Sequence, residues 1–183
     1  MIRHPRVLTA WQKETEAMRG KRHNDLHGKI AASVAQDLGI PLSKANTIID
    51  KVIFQAYPET FRASDLLVGL QTLFDRLDAA KIPRAVVSDH PSKAKLKGLA
   101  QTTGWACIVD CSAIGALKPL PDGLEIAAKS MGFQAHEMLL IGDRQESDGE
   151  MAQNAGAQAL IRGVDWHNGK DLAEIIFSRL ETQ

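Results

Sequence analysis

At 183 residues, with 44% hydrophobic and 24% charged side chains, the chain can bury a core and is too apolar for the disordered class. Twenty-two basic residues balance 22 acidic ones, so bulk charge points to neither nucleic acid nor a membrane surface as partner. No apolar stretch approaches a membrane span, residues 1–11 (MIRHPRVLTAW) lack the apolar block of a signal peptide, and Cys107 and Cys111 make no disulfide framework, so a reducing cytoplasm is expected.

The first third reads as helical. The basic run RGKR at 19–22 reads as a solvated helix end. In NDLHGKIAASVAQDLG, Leu26, Ile30, Val34 and Leu38 recur every four residues, with Asn24 as N-cap and Gly39 as stop. His23 and His27 have the spacing of one helical face and read as a surface pair. In PLSKANTIIDKVIFQAY a further helix starts at Ser43, with Ile48, Ile49, Val52 and Ile53 on one face. No strand signal appears before Phe61, so residues 1–62 are expected to form a small all-helical module.

Beyond it the pattern changes. Ser64 opens a helix that lines up Leu66, Leu67, Leu70, Phe74 and Leu77. Four short apolar runs then alternate with helices. RAVVSD (84–89) precedes the helix PSKAKLKGLAQTTG, and ACIVDC (106–111), where Cys107 reads as an inert buried thiol, precedes PDGLEIAAKSMG, which closes at Gly132. EMLLIGD (137–143) precedes SDGEMAQNAG, which closes at Gly156, and QALIRG (158–163) precedes GKDLAEIIFSRLE. Such alternation predicts an α/β domain over 63–183, a Rossmann-like parallel sheet covered on both faces.

Ligands of such sheets bind outside the carboxyl ends of the strands. The first run ends in Ser88-Asp89 and the third in Asp143, with Asp148 five residues on; Lys118 follows the second in IGALKPLPDG. Hydroxyl and N–H groups hold phosphoryl oxygens, and a lysine stabilises anions. Carboxylates bind Mg²⁺, which is needed because two unit charges of one sign about 4 Å apart repel by roughly 4 kcal/mol at an effective dielectric of about 20. Taken singly, Asp148 reads equally well as a helix cap, Ser88 as a turn residue and Lys118 as a loop lysine. Their joint placement at strand ends predicts a phosphate site. Trp11, Tyr57 and Trp105 read as core or surface aromatics rather than pocket walls.

These motifs resemble those of the haloacid dehalogenase-like (HAD) hydrolase superfamily. AVVSD is similar to its second motif, which implies Ser88 as the phosphate-binding hydroxyl. GALKPLPDGLEIAAKSMG is similar to the third, with Lys118 as the charge-stabilising lysine. LLIGDRQESDGEMAQNAGA is similar to the fourth in its GDxxxxD form, with Asp143 and Asp148 as acids around Mg²⁺. The likeness runs from about Ser64 to Gly163, and the helical block before it resembles the helical cap of many members.

The family's first motif, an apolar strand ending D-x-D-x-T/V, has no counterpart here, since no aspartate precedes Asp25 and HNDLHG around it is polar and helix-like. The nucleophile is therefore absent from these residues. The resemblance places the missing strand mid-sheet, between the strands ending in Ser88 and Asp143. Losing three buried aliphatic side chains costs on the order of 5–9 kcal/mol and leaves two open edges. A strand-donating partner chain, a second copy (a homodimer) or a rearranged N-terminal segment is expected to fill the gap.

The resemblance implies a Mg²⁺-dependent phosphate monoester hydrolase with an incomplete site, inactive as the isolated chain. Its substrate would be a small phosphorylated metabolite, with no nucleic acid or membrane as partner. The alternative is a non-catalytic interaction or regulatory protein that keeps the fold. A phosphoacceptor signalling domain fits less well, because it needs an acid cluster after the same missing strand.

Overall fold

The computed structural model describes residues 5–181. It opens with helices α1 (Pro5–Ala17), α2 (Leu26–Leu38) and α3 (Leu42–Ile49), and α3 continues into a π-helical segment, Asp50–Ala56. One turn of Pro58–Thr60 closes this block. Val7, Trp11, Ile30, Val34, Ile49, Val52 and Ile53 are buried together. The four-residue recurrence read from the sequence thus faces the core.

Several details differ from the sequence reading. The α2 N-cap is Asp25, not Asn24: its carboxylate accepts from Gly28 N at 2.9 Å, satisfying one of the orphan donors of the first turn. Gly39 ends α2 in the left-handed conformation, as expected. His23 and His27 do not share a helical face, because α2 begins only at Leu26. The His27 ring packs against Trp11 and Phe54, at centroid distances of 6.0 and 5.1 Å. Burial holds His27 below the usual histidine range.

Ser64 does not open a helix. A single turn spans Ala63–Asp65, and α4 covers only Leu70–Ala79. Gly69 stops the helix from starting earlier. Its φ is +86°, and a Cβ there would lie 2.6 Å from the backbone N of Lys170. The close approach is real, since Gly169 N donates to Val68 O at 2.8 Å. Only a glycine fits.

The strands fall where the apolar runs placed them: β1 (Arg84–Ser88), β2 (Trp105–Asp110), β3 (Leu139–Gly142) and β4 (Gln158–Ile161). Helices α5 (Ser92–Gly98), α6 (Asp122–Met131), α7 (Glu150–Ala155) and α8 (Gly169–Glu181) alternate with them, with a π turn at Gln145–Gly149 before α7. Gly132 and Gly156 close α6 and α7 at positive φ. The four strands pair in parallel, yet as two separate pairs, β1 with β2 and β3 with β4.

The expected cover on both faces is incomplete. Val86 and Val87 are only half-buried and Ile141 is exposed, because each strand has one neighbour instead of two. Residues 5–17 form α1, so the N-terminal stretch supplies no strand to the gap among the described residues. Two clusters hold the molecule together. One joins the helical block to Cys111, Leu117, Leu124, Leu140 and Met151; the other packs α4 and α8 on Leu160 and Trp166. No helix of the described residues is long and apolar enough to cross a membrane.

Candidate phosphate site

The carboxyl ends of both strand pairs converge on one lysine. Lys118 lies in the loop between β2 and α6, and its ammonium donates to Asp148 Oδ1 at 2.6 Å. Its backbone N donates to Asp89 Oδ1 at 3.0 Å. Asp89 follows β1, and Asp148 lies in the π turn after β3, so carboxylates from the two pairs hold the lysine from two sides. Asp89 and Asp148 are both buried. Charges this deep need partners.

Asp148 is held tightly. Its Oδ2 accepts from Asp143 N at 3.2 Å and from Arg144 N at 3.1 Å. Burial pushes its carboxyl upward, but the Lys118 charge and hydrogen bond, with the two backbone donors, outweigh burial and hold it below the usual carboxylate range. The π turn brings Asp148 back over Gly142, where a Cβ would lie 2.3 Å from the Asp148 Cβ. This explains the Gly142-Asp143 pair at the end of β3: the glycine makes room for the acid.

Ser88 ends β1 and its Oγ accepts from His90 N at 3.2 Å, which turns the chain sharply over the strand end. Asp143 differs from the others. Its side chain is exposed, and its charge acts on Lys95, reached from α5. Of the four residues read from the sequence, Lys118 and Asp148 are in direct contact. Ser88 joins them through its neighbour Asp89, and Asp143 through its backbone N–H.

Arg19 was missed. The RGKR run is not a solvated helix end: the Arg19 side chain is mostly buried, and its Nη1 donates to Asp89 Oδ2 at 2.5 Å and to Lys118 O at 2.7 Å. Arg22 pairs with Asp122, and residues 22–23 run along the Lys118 loop through the bridge Arg22–Ala116 and His23 N to Gly115 O at 2.8 Å. The helical block thereby fastens the loop that carries Lys118. Arg19→Met is expected to lower stability by about 1–3 kcal/mol, since Asp89 stays buried with one donor fewer. Amide exchange at residues 115–118 should rise with it, and unchanged exchange there would refute the fastening role.

The two thiols are unpaired. Cys111 is fully buried, and desolvation pushes its thiol up to about 12. Cys107 is half-buried rather than enclosed, its Sγ 3.9 Å from Ala127 O. Trp11 is core, and Trp105 meets Phe74 edge-on with the Arg84 guanidinium over its ring. An open notch between α1 and α2, bordered by Thr9, Lys13 and Asp37, contains none of the site residues.

Among the described residues no group of three His, Cys, Asp or Glu could hold a metal ion. Asp148 has both oxygens engaged, which leaves Asp143 as the free carboxylate. One carboxylate fits Mg²⁺ only as part of a site, completed by water, phosphate oxygens and a further acid.

The sequence model of the haloacid dehalogenase-like hydrolases matches residues 4–156. No curated protein matches the sequence significantly. Among solved structures, a HAD-superfamily hydrolase from Ehrlichia chaffeensis is 21% identical, with a TM-score of 0.57 over 94% of this chain and 88% of that one. A predicted phosphoglycolate phosphatase from Haemophilus somnus 129PT is 14% identical, with a TM-score of 0.62 over 94% and 91%. A β-phosphoglucomutase from Clostridium difficile is 13% identical, with a TM-score of 0.61 over 85% and 76%. At these identities the structures speak for the fold alone, and the match over residues 4–156 decides membership: this chain belongs to the haloacid dehalogenase-like hydrolases.

Proposed function

We propose that this chain carries the phosphate-holding half of a Mg²⁺-dependent phosphate monoester hydrolase, and that turnover awaits a carboxylate nucleophile on a further strand. The observation that carries this reading is Lys118, held between Asp89 and Asp148 where the carboxyl ends of both strand pairs meet. Two of the structural neighbours, named a phosphatase and a phosphomutase, support phosphoryl chemistry. A strand between β1 and β3 would come from sequence outside these residues, from a partner chain or from a second copy. Two unpaired thiols fit a reducing compartment, the cytoplasm.

The chain's own residues position the transferred group. An ammonium has three donors; Asp148 takes one, so Lys118 keeps two for phosphoryl oxygens. The Ser88 hydroxyl adds a donor from the end of β1. In the completed site a carboxylate oxygen would bond to phosphorus as the ester P–O bond breaks and the alcohol leaves with a proton. Water would then attack phosphorus, releasing phosphate and regenerating the carboxylate. Mg²⁺, held by Asp143, would supply positive charge beside the phosphoryl oxygens.

The test is hydrolysis of p-nitrophenyl phosphate with Mg²⁺, by the 183-residue chain alone and by the chain joined to an apolar segment ending D-x-D-x-T/V. Background rate alone and turnover with the segment are expected. A binding role without turnover is favoured by one observation, that Asp148 already has both oxygens satisfied within the chain. A folded, completed protein that binds phosphate and stays inactive would decide for that role.

A further inference from the structure

Lys95, in α5, differs from the buried cations of the site. Arg19 and Lys118 are each committed to a buried carboxylate. The Lys95 ammonium makes no ion pair or hydrogen bond among the described residues, and instead sits 4.8 Å from the centroid of the Phe61 ring. Phe61 meets Tyr57 edge-on at 5.4 Å, and Tyr57 meets His90 at 6.4 Å. A row of rings, His90, Tyr57 and Phe61, therefore leads from the loop after β1 to the ring on which the ammonium rests.

Helix α5 and the Phe61 segment are in close backbone contact: a Cβ on Gly98 would lie 2.6 Å from Phe61 O. Desolvation there lowers the lysine's hold on its proton, opposed by Asp143 and aided by Lys118, whose charges both reach it. An aromatic face attracts a cation weakly and satisfies none of its three donors. A half-desolvated ammonium with open donors is poised for an anion that arrives with the ligand.

We propose that Lys95 binds a second anionic group, the size of a carboxylate, on the ligand whose phosphate sits at Ser88 and Lys118, so that the chain selects small phosphorylated acids. The inference rests on the phosphate reading above, and it extends that reading from the phosphate to the rest of the ligand. The single charge of Lys95 matches one carboxylate, and the rings that run from His90, beside Ser88, to Phe61 join the two anion positions through one local cluster, which favours a short ligand.

The experiment is calorimetric titration with two non-hydrolysable probes, 3-phosphonopropionate and propylphosphonate, which differ by the carboxylate. The full chain is expected to bind the first about tenfold more tightly, the size of one hydrogen bond to a charged group. Lys95→Met should erase that ratio, while Lys95→Arg keeps most of it. Matching thermal unfolding of the variants separates these effects from misfolding. Equal affinity of the wild type for both probes, with propylphosphonate binding lost in Lys118→Met, would overturn the role of Lys95 and uphold the phosphate site. Failure of both probes to bind the wild type would overturn the two together.

Discussion

Lys118→Met is expected to destabilise the protein by about 3–5 kcal/mol, because it strands the buried Asp148 carboxylate without its counter-charge. For a chain of this length that corresponds to roughly 6–20 °C in Tm. The double variant Lys118→Met/Asp148→Asn should recover part of the loss. Asparagine keeps an oxygen for the backbone N–H groups of Asp143 and Arg144 but carries no charge to strand. Neighbouring charges of this kind couple by about 0.5–3 kcal/mol in a double-mutant cycle, read here by urea unfolding. Strict additivity would mean that the pair does not act as a pair.

The same pair sets an acid limit. The folded Asp148 carboxyl lies below its ordinary value of 3.8, so its contribution is fully present above that value. It disappears as the pH falls through the lower folded value. Wild type should therefore lose stability below about pH 4 more steeply than Asp148→Asn, which has no such group to protonate. Parallel acid unfolding curves for the two proteins would contradict this assignment.

Supplying an apolar strand to the open edges of β1 and β3 should raise stability by about 5 kcal/mol, or roughly 10–20 °C in Tm. The half-buried Val86 and Val87 and the exposed Ile141 each lie on a strand with a single neighbour. Burying three aliphatic side chains contributes about 5–9 kcal/mol, while ladder hydrogen bonds on both sides roughly offset the entropy of ordering the new backbone. Amide exchange should slow in β1 and β3 more than in β2 and β4. An added segment that exchanges freely and leaves Tm unchanged would show that the gap does not accept a strand.

The sequence by itself determined the strands, most helix ends and which polar residues stand at the strand ends. Alternation of apolar runs with amphipathic stretches located all four strands within two residues at their starts and ends. Gly39, Gly132 and Gly156 marked helix ends because a left-handed terminus selects glycine from neighbours alone. Ser88, Lys118 and Asp148 were legible because each stands at a fixed offset from a strand end. Such signals are carried within a few residues.

Tertiary structure alone decided the rest. Arg19 looked like one more solvated cation, and its partner Asp89 lies 70 residues away, so no local pattern could pair them. The late start of α4 depends on Gly69 meeting Lys170 across the fold. The division into two strand pairs depends on which edges find a neighbour, whereas strand propensity reports only that an edge exists. Lys95 acquired its meaning last, when α5 set its ammonium over Phe61, because charge in a sequence says nothing of what will stand opposite it.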